Sequence, residues 1–516
     1  MIRWLLFFFT AAGTLFFSSS RFVDPWLVPK WGILVAGMVV WGLVTAVHWV
    51  YPFDRCPVRF RSWVEGGLVA LVGVEACYGL FRAFAPGGGG VASLTGTLDN
   101  AAGFAACLCV GFPFCLRLMG GTGWRRYAGV AAATVVLVAV ALSASRAGIL
   151  SLLAVSAVWA WKRLRFSPRV KGTTLAVLLL LLAGLLYGVK KDSADGRLLI
   201  WRCSLEMMKD RPLQGWGLGG FEAHYMDYQA AYFERHPDSR YAPLADTVQY
   251  PFSEYLNIGV AFGVVGWLAV AAWLVCLGRA YVRRPTVEKE SGLLVWLAVV
   301  VFAAFSYPLM YPFVWLMLAY ASVRLLEDVG TVRPLLLQAG AVCLLATCGW
   351  VGSRTYRRMK AELVWAEAVA ASSLGQTEEA MEKYRRAYSV LWADRYFLYN
   401  YAAELHRHGQ QDEALRVAGA CRRRWADYDL ELLLAELYEQ RGEDVRAEAH
   451  YRRASLMCPN RFVPLHRLVL LLDRTGWADE AVRLARQLVE KPVKVPSFQV
   501  DWIKKEMNDY IIKQCE

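Results

Sequence analysis

Hydrophobic and polar positions divide the chain into two regimes. Up to about residue 352 it is a series of apolar runs broken by short polar links. From Arg354 onward, charged and apolar positions recur with a helical period. Scanning the first regime for stretches of about 17–25 mostly apolar residues predicts about eleven membrane helices. They fall at 2–19, 31–50, 64–84, 100–118, 126–143, 147–162, 173–189, 256–278, 292–308, 311–325 and 334–352. The first lacks a clear small-residue cleavage site before Arg21 and reads as a retained helix, not a signal peptide. One long polar stretch, Lys191 to Tyr255, interrupts the series and is rich in Arg, Gly and aromatic residues.

The second regime repeats. Gly375, Gly409, Gly442 and Gly476 are spaced 34, 33 and 34 residues apart. An acidic residue and an alanine follow each, as in Glu379-Ala380, Glu413-Ala414, Asp444 to Ala447 and Glu480-Ala481. Tyr384 with Ala387, and Tyr451 with Ala454, take matching places on a second helix. This is similar to tetratricopeptide repeats, whose period is 34 residues, with each glycine at the turn between paired helices. The predicted fold is all-α: a polytopic transmembrane bundle over 1–352 with a large extracytoplasmic loop at 191–255, then a helical solenoid over 353–516. Such arrays stack into a concave surface that binds partners, so a protein partner is expected there, the alternative being a purely structural spacer.

Composition agrees with a membrane protein. The chain is 57% hydrophobic with mean hydropathy +0.32, where a soluble domain is nearer 45–50% apolar. The net charge of +13 suggests nucleic acid until its placement is considered. Arg55, Arg59 and Arg61 form one basic link and Arg117, Arg125 and Arg126 a second. Lys162, Arg163, Arg165, Arg169 and Lys171 form a third, and Arg279, Arg283, Arg284 and Lys289 a fourth. The links Pro86 to Thr97 and Ser306 to Pro312 hold neither Lys nor Arg. That alternation is the positive-inside pattern. It puts the N-terminus in the cytoplasm, the 191–255 loop outside and, with eleven spans, the repeats outside too. No nucleic-acid motif accompanies the charge. Of the twelve cysteines, Cys77, Cys107, Cys109, Cys115, Cys276, Cys343 and Cys348 lie in apolar runs, where Cys packs as a small hydrophobe. Glu75 is an ionisable group at membrane depth, facing either a functional partner or a structural hydrogen bond. His48, near a cytoplasmic helix end, reads as structural.

Candidate chemistry gathers at the loop and the turn facing it. Arg146 lies among small residues, Ser143-Ala144-Ser145 and Ala147-Gly148, at an outer helix mouth. Its guanidinium fork suits phosphate and stays charged. Arg197 begins an apparent amphipathic helix whose apolar face carries Leu198, Trp201, Leu205 and Met208, with Arg202 off that stripe and Arg211 at its end. A cap resting on the membrane surface explains the same periodicity. Asp210-Arg211-Pro212 followed by Gly215, Gly217, Gly219 and Gly220 reads as a helix stop and tight turn. No preceding strand or Walker lysine supports a nucleotide loop.

Ser145-Arg146-Ala147-Gly148, Arg197 with Trp201, the run Asp210 to Phe221 with Tyr225, and Ser253-Glu254-Tyr255-Leu256 together resemble the O-antigen ligase and polymerase superfamily. The resemblance implies glycosyl transfer at the outer face of the bacterial inner membrane. Its donor would be a glycan on undecaprenyl diphosphate; its acceptor would be lipid A core, a growing polysaccharide or a protein. It implies no metal or cofactor, with Arg146 and Arg197 clamping the diphosphate. Trp201, Arg202, Arg211 and Tyr250 are then candidate substrate-binding residues. Relatives place a histidine in or just before the closing segment, where this chain has Tyr250 and Phe252. Glu254 is the nearest carboxylate to act as general base, or else it complements a helix dipole. Two other readings stand beside this one: a lipid-linked glycan transporter, against which no pair of Gly/Pro-broken helices is seen, and a non-catalytic scaffold acting through its repeats.

Overall fold

The structure is a computed structural model describing residues 2–50, 58–87, 89–90, 94–163, 173, 191–327 and 334–515. Apart from Thr173, the span expected at 173–189 lies outside them, as do Arg55, Arg165, Arg169, Lys171 and the side chains of His48, Arg59 and Arg61. Every regular element among the described residues is helical. The chain separates into two compact units. The first comprises Met1–Leu186, Phe252–Tyr255 and Leu268–Glu367; the second comprises Tyr187–Pro251, Leu256–Trp267 and Ala368–Glu516.

The first unit is built from α1 (Ile2–Phe16), α2 (Leu27–Val50), α3 (Val58–Phe84), α4 (Ala101–Met119), α5 (Trp124–Leu142) and α6 (Arg146–Arg163). The other ten spans expected from the sequence each fall on a helix. Among the described residues, five helices are long and apolar enough to cross a membrane, and Ile2–Phe16 and Pro312–Leu326 are shorter apolar helices. Helix α4 is apolar on all sides and is buried without a break from Gly103 to Leu116, as such a helix must be. Small residues let its neighbours approach: a Cβ on Gly111 would fall within 3 Å of both methyl carbons of Val72, the close packing that joins helices in a bilayer.

The polar groups of this unit collect at its two ends. At one end Arg117, closing α4, meets Glu65 of α3 at 2.5 Å and Glu288 at 3.0 Å, and Arg163 meets Glu290 at 3.1 Å. At the other end Glu75 accepts bonds from the amide and hydroxyl of Thr97, at 2.8 and 2.9 Å. Of the two roles open to Glu75, the structure displays the hydrogen bond. Lys30, which the sequence reading passed over, is wholly buried and donates to the carbonyls of Leu15 and Thr97, both at 2.7 Å. A buried ammonium requires such acceptors, and these tie the 94–98 turn to α1 and α2.

The remaining helices are α7 (Lys191–Asp210), α8 (Gly220–Arg235), α9 (Glu254–Arg283), α10 (Val287–Ala303), α11 (Pro312–Leu326) and α12 (Pro334–Ser373). The second unit joins α7 and α8 to an array of paired helices: α13 (Thr377–Leu391), α14 (Arg395–Arg407), α15 (Gln411–Arg422), α16 (Tyr428–Gln440), α17 (Asp444–Met457), α18 (Val463–Arg474), α19 (Ala478–Glu490) and α20 (Phe498–Cys515). The four periodic glycines occupy the turns within pairs, at φ from +72° to +86°. Such backbone favours glycine, which explains why they mark the period. Tyr384, Ala387, Tyr451 and Ala454 are buried in the second helices of their pairs.

Candidate functional site

Arg146 is the first residue of α6. The turn before it passes through Ala144 at φ +52°, and its hydroxyls serve the backbone: Ser143 donates to Val140 O at 2.8 Å and Ser145 accepts the Gly148 amide at 3.3 Å. Ser145 therefore caps α6. Gly148 lies so close to Ala105 and Val140 that a Cβ would approach both at 2.9 Å. Further along, Ser151 donates to Ala298 O at 2.9 Å. Small residues thus seat the start of α6 against α4, α5 and α10, and half-buried Arg146 is held by that seat.

Glu254 belongs to the same unit and opens α9. It is buried, at 5% exposure, and accepts the Leu309 amide at 3.2 Å. Beside it the Tyr255 hydroxyl donates to Val300 O at 2.8 Å. Phe252, at one of the two places where the resemblance implies a histidine, packs edge-on to Tyr307 and adopts φ +52°. The closing segment is thereby fastened to α10 and the 307–310 turn.

In the second unit, α7 differs from the sequence expectation in two ways. It begins at Lys191, six residues before Arg197. Its buried stripe is Leu199, Ile200, Cys203, Ser204 and Met207, while Leu198 and Leu205 are 43% and 47% exposed. The helix carries two apolar stripes side by side, so hydrophobic spacing alone cannot select the one that packs. Arg197 is half-buried and Trp201 is anchored, its indole donating to Pro251 O at 3.0 Å. Arg202 lies over the Tyr232 ring at 5.5 Å and Arg211 over Trp216 at 4.1 Å, both in the range of cation–π attraction. Tyr250 is half-buried beside Pro251. Arg197, Trp201, Arg202, Arg211 and Tyr250 thus all lie in the second unit, and Arg146 and Glu254 in the first.

The glycine-rich turn has a partner that was not expected. Helix α9 is broken at Gly263, at φ +59° and ψ −150°. The break frees backbone groups, and residues 212–217 take them. Trp216 and Gly217 donate to Val260 O and Ala261 O at 2.8 and 2.9 Å, while Val264 and Val265 donate to Pro212 O and Leu213 O at 2.8 and 3.4 Å. The pairing is close enough to demand glycine on both sides. A Cβ on Gly215 would fall 2.5 Å from Val260 O, and one on Gly263 would fall 2.5 Å from Pro212 O. The sequence signal for the break was three glycines, Gly259, Gly263 and Gly266, within one apolar run. Trp216 closes the turn, its indole donating to Met207 O at 2.9 Å and its ring packing on His224 at 4.4 Å.

Partial burial pushes the His224 imidazole below its ordinary pKa, the nearby Asp227 opposing and Arg422 and Arg211 reinforcing the shift. The fold therefore favours neutral His224. The unfolded chain takes up the proton first as pH falls through about 6.5, so this stability is complete above that pH and is lost below it. Wild-type protein is expected to lose melting temperature relative to His224→Phe between about pH 7.5 and pH 5.5. Parallel profiles for the two proteins would contradict this.

These elements define an all-helical membrane protein with an appended array of paired helices. Within it, residues 130–271 match the family model Wzy_C, O-Antigen ligase. That segment holds Arg146, the whole 191–255 stretch and the broken part of α9, and it contains the motifs on which the sequence resemblance rests. No curated protein matches the chain. Among solved structures, "Crystal structure of APC/C hetero-tetramer Cut9-Hcn1" aligns at 12% identity over 92% of this chain and 76% of that chain, with a TM-score of 0.25.

Proposed function

We propose that the chain is a membrane glycosyltransferase that moves or polymerises a glycan from undecaprenyl diphosphate onto an acceptor hydroxyl at the periplasmic face of the inner membrane. The acceptor class comprises lipid A core, a growing polysaccharide and protein. The observation that carries this reading is the O-antigen ligase match over 130–271, which includes both nominated arginines. In the reaction, the acceptor oxygen bonds to the anomeric carbon, the bond from that carbon to the diphosphate oxygen breaks, and the hydroxyl proton is released. Negative charge grows on the departing diphosphate. Fixed guanidinium groups favour that state over the bound donor, and this is the role assigned to Arg146 and Arg197. Trp201, Arg202, Arg211 and Tyr250 are assigned to substrate binding.

The buried setting of Glu254 and its bond to Leu309 support an anchoring role over that of a base. Glu254→Gln retains an acceptor oxygen for the Leu309 amide and is expected to leave transfer within about threefold of wild type, whereas Glu254→Ala should cost about 1–3 kcal/mol of stability by stranding that amide. A well-folded Glu254→Gln protein without transfer activity would restore the base. The transporter reading has one observation in its favour, the single break in α9. Its freed groups, however, are bonded to residues 212–217. Tyr250 and Phe252 in the places of the family histidine favour the scaffold. Deletion of the gene followed by complementation separates the readings: a transferase mutant lacks one surface glycan or glycoprotein glycan that Arg146→Ala and Arg197→Ala fail to restore, and unchanged glycans throughout on deletion would sink the proposal.

A further inference from the structure

Helix α8 has two working faces. Tyr228, one turn after His224, bonds to Asp210 at the end of α7, and Tyr232, a further turn on, lies under Arg202. Residues at 224, 228 and 232 share one side of a helix, and here that side meets Trp216 and α7. The other side is spent on the repeat array. Ala426, in the turn between α15 and α16, donates its amide to Glu222 O at 2.9 Å. Arg395, opening α14, meets the Glu222 carboxylate at 3.0 Å with both groups mostly buried. Arg422, closing α15, bridges Asp227 of α8 and buried Glu431 of α16, each at 2.5 Å. Gln229 is wholly buried. It accepts the Tyr225 hydroxyl at 2.7 Å and donates to Met457 O at 2.7 Å and Asp246 O at 3.1 Å.

These array residues sit at or beside the ends of the paired helices, at 395, 422–426 and 457. The edge they form is filled by a helix of the same chain. A buried amide with its bonds satisfied and two mostly buried ion pairs specify one seating, because breaking any of them strands a polar group.

We infer that the repeat array acts in cis, as the seat of α8, and that Arg395 and Arg422 are positioning residues for the transfer site, acting through α8 on Arg202, Arg211 and Trp216. The inference rests on the transferase reading. It has a topological corollary. Four spans expected from the sequence, at 256–278, 292–308, 311–325 and 334–352, separate the 191–255 stretch from the array, and an even number of crossings returns the chain to the side from which it left. The array therefore shares a compartment with the loop.

The test uses full-length protein. Glu222→Arg and Arg395→Glu each place like charges together and are expected to speed hydrogen exchange across 220–235 and to lower kcat/KM about tenfold or more, the scale of a small displacement of catalytic groups. The double variant, with the pair reversed, is expected to return both readouts to within about threefold of wild type. Arg395→Lys, which keeps the charge, should retain most transfer if the reversal variants fail to fold. Single variants that exchange faster yet transfer at the wild-type rate would overturn the inference. So would a folded double variant that restores neither readout. Wild-type protein that transfers nothing would instead overturn the transferase reading, and the exchange measurements would still test the seat. For the corollary, Asp238→Cys and Lys494→Cys should both react with an impermeant maleimide on spheroplasts. Labelling of the first alone would contradict a shared compartment.

Discussion

Arg197→Ala protein is expected to insert and fold normally yet transfer glycan about 10²–10³-fold more slowly, the usual loss when one fixed donor to a developing charge is removed. Arg146→Ala is expected to do the same. The loss should fall mainly on kcat, because the charge the guanidinium stabilises is greater in the transition state than in the bound donor. Lysine should rescue poorly at either position, since an ammonium does not reproduce the bidentate fork. Steady-state kinetics with a defined lipid-linked glycan measures all of this. A rise in KM with kcat intact would reassign the arginine to ground-state donor binding. Arg146 lies in a turn whose hydroxyls and close-packed glycine already hold α6, so its truncation leaves that seat in place.

The second large effect is structural and concerns the pairing of residues 212–217 with the break in α9. Gly263→Ala and Gly215→Ala are each expected to lower stability by about 3 kcal/mol or more, beyond an ordinary surface substitution. Two causes add. Each glycine has positive φ, +59° and +66°, which costs an L-residue about 1–3 kcal/mol. Each added Cβ would also meet a backbone atom at 2.5 Å, and backbone cannot rotate aside as a side chain can. Gly217 supplies the control. It has φ +83° with nothing within 4 Å of an added Cβ, so Gly217→Ala should lose only the conformational part, about 1–3 kcal/mol. Thermal melts of the three purified proteins decide this. Equal losses at 215, 217 and 263 would show that the close pairing contributes nothing.

Much of this fold was legible from residue patterns because the bilayer and the repeat each impose a strict period. Apolar runs placed the helices, and the glycine spacing placed the turns of the array, since only glycine occupies φ near +73° there without strain. What escaped was pairing between distant segments. Nothing in the alternation of α7 distinguishes Leu199 and Met207 from Leu198 and Leu205, because the choice of face depends on the helix packed against it. Gly215 reads as a turn residue and Gly263 as a helix residue, and only their approach in space explains both. Lys30 escaped for a similar reason. It stands at the edge of a run, where a lysine ordinarily reaches water, and its burial depends on carbonyls at Leu15 and Thr97. The seven nominated site residues were chosen by type and order. Five of them, Arg146, Arg197, Trp201, Glu254 and Tyr250, are half-buried or buried in the folded chain, while the exposed Arg202 and Arg211 rest on aromatic rings.

The most direct test of the central claim follows the leaving group. Purified full-length protein is reconstituted in liposomes with an undecaprenyl-diphosphate-linked glycan and an acceptor preparation from the source cell, and the lipid fraction is read by mass spectrometry. Free undecaprenyl diphosphate is expected to appear in step with glycosylated acceptor, and Arg146→Ala or Arg197→Ala to suppress both together. Glycosylated acceptor formed at the wild-type rate by both arginine variants would contradict the clamp. An intact donor after incubation of folded wild-type protein with each acceptor class would contradict the transferase.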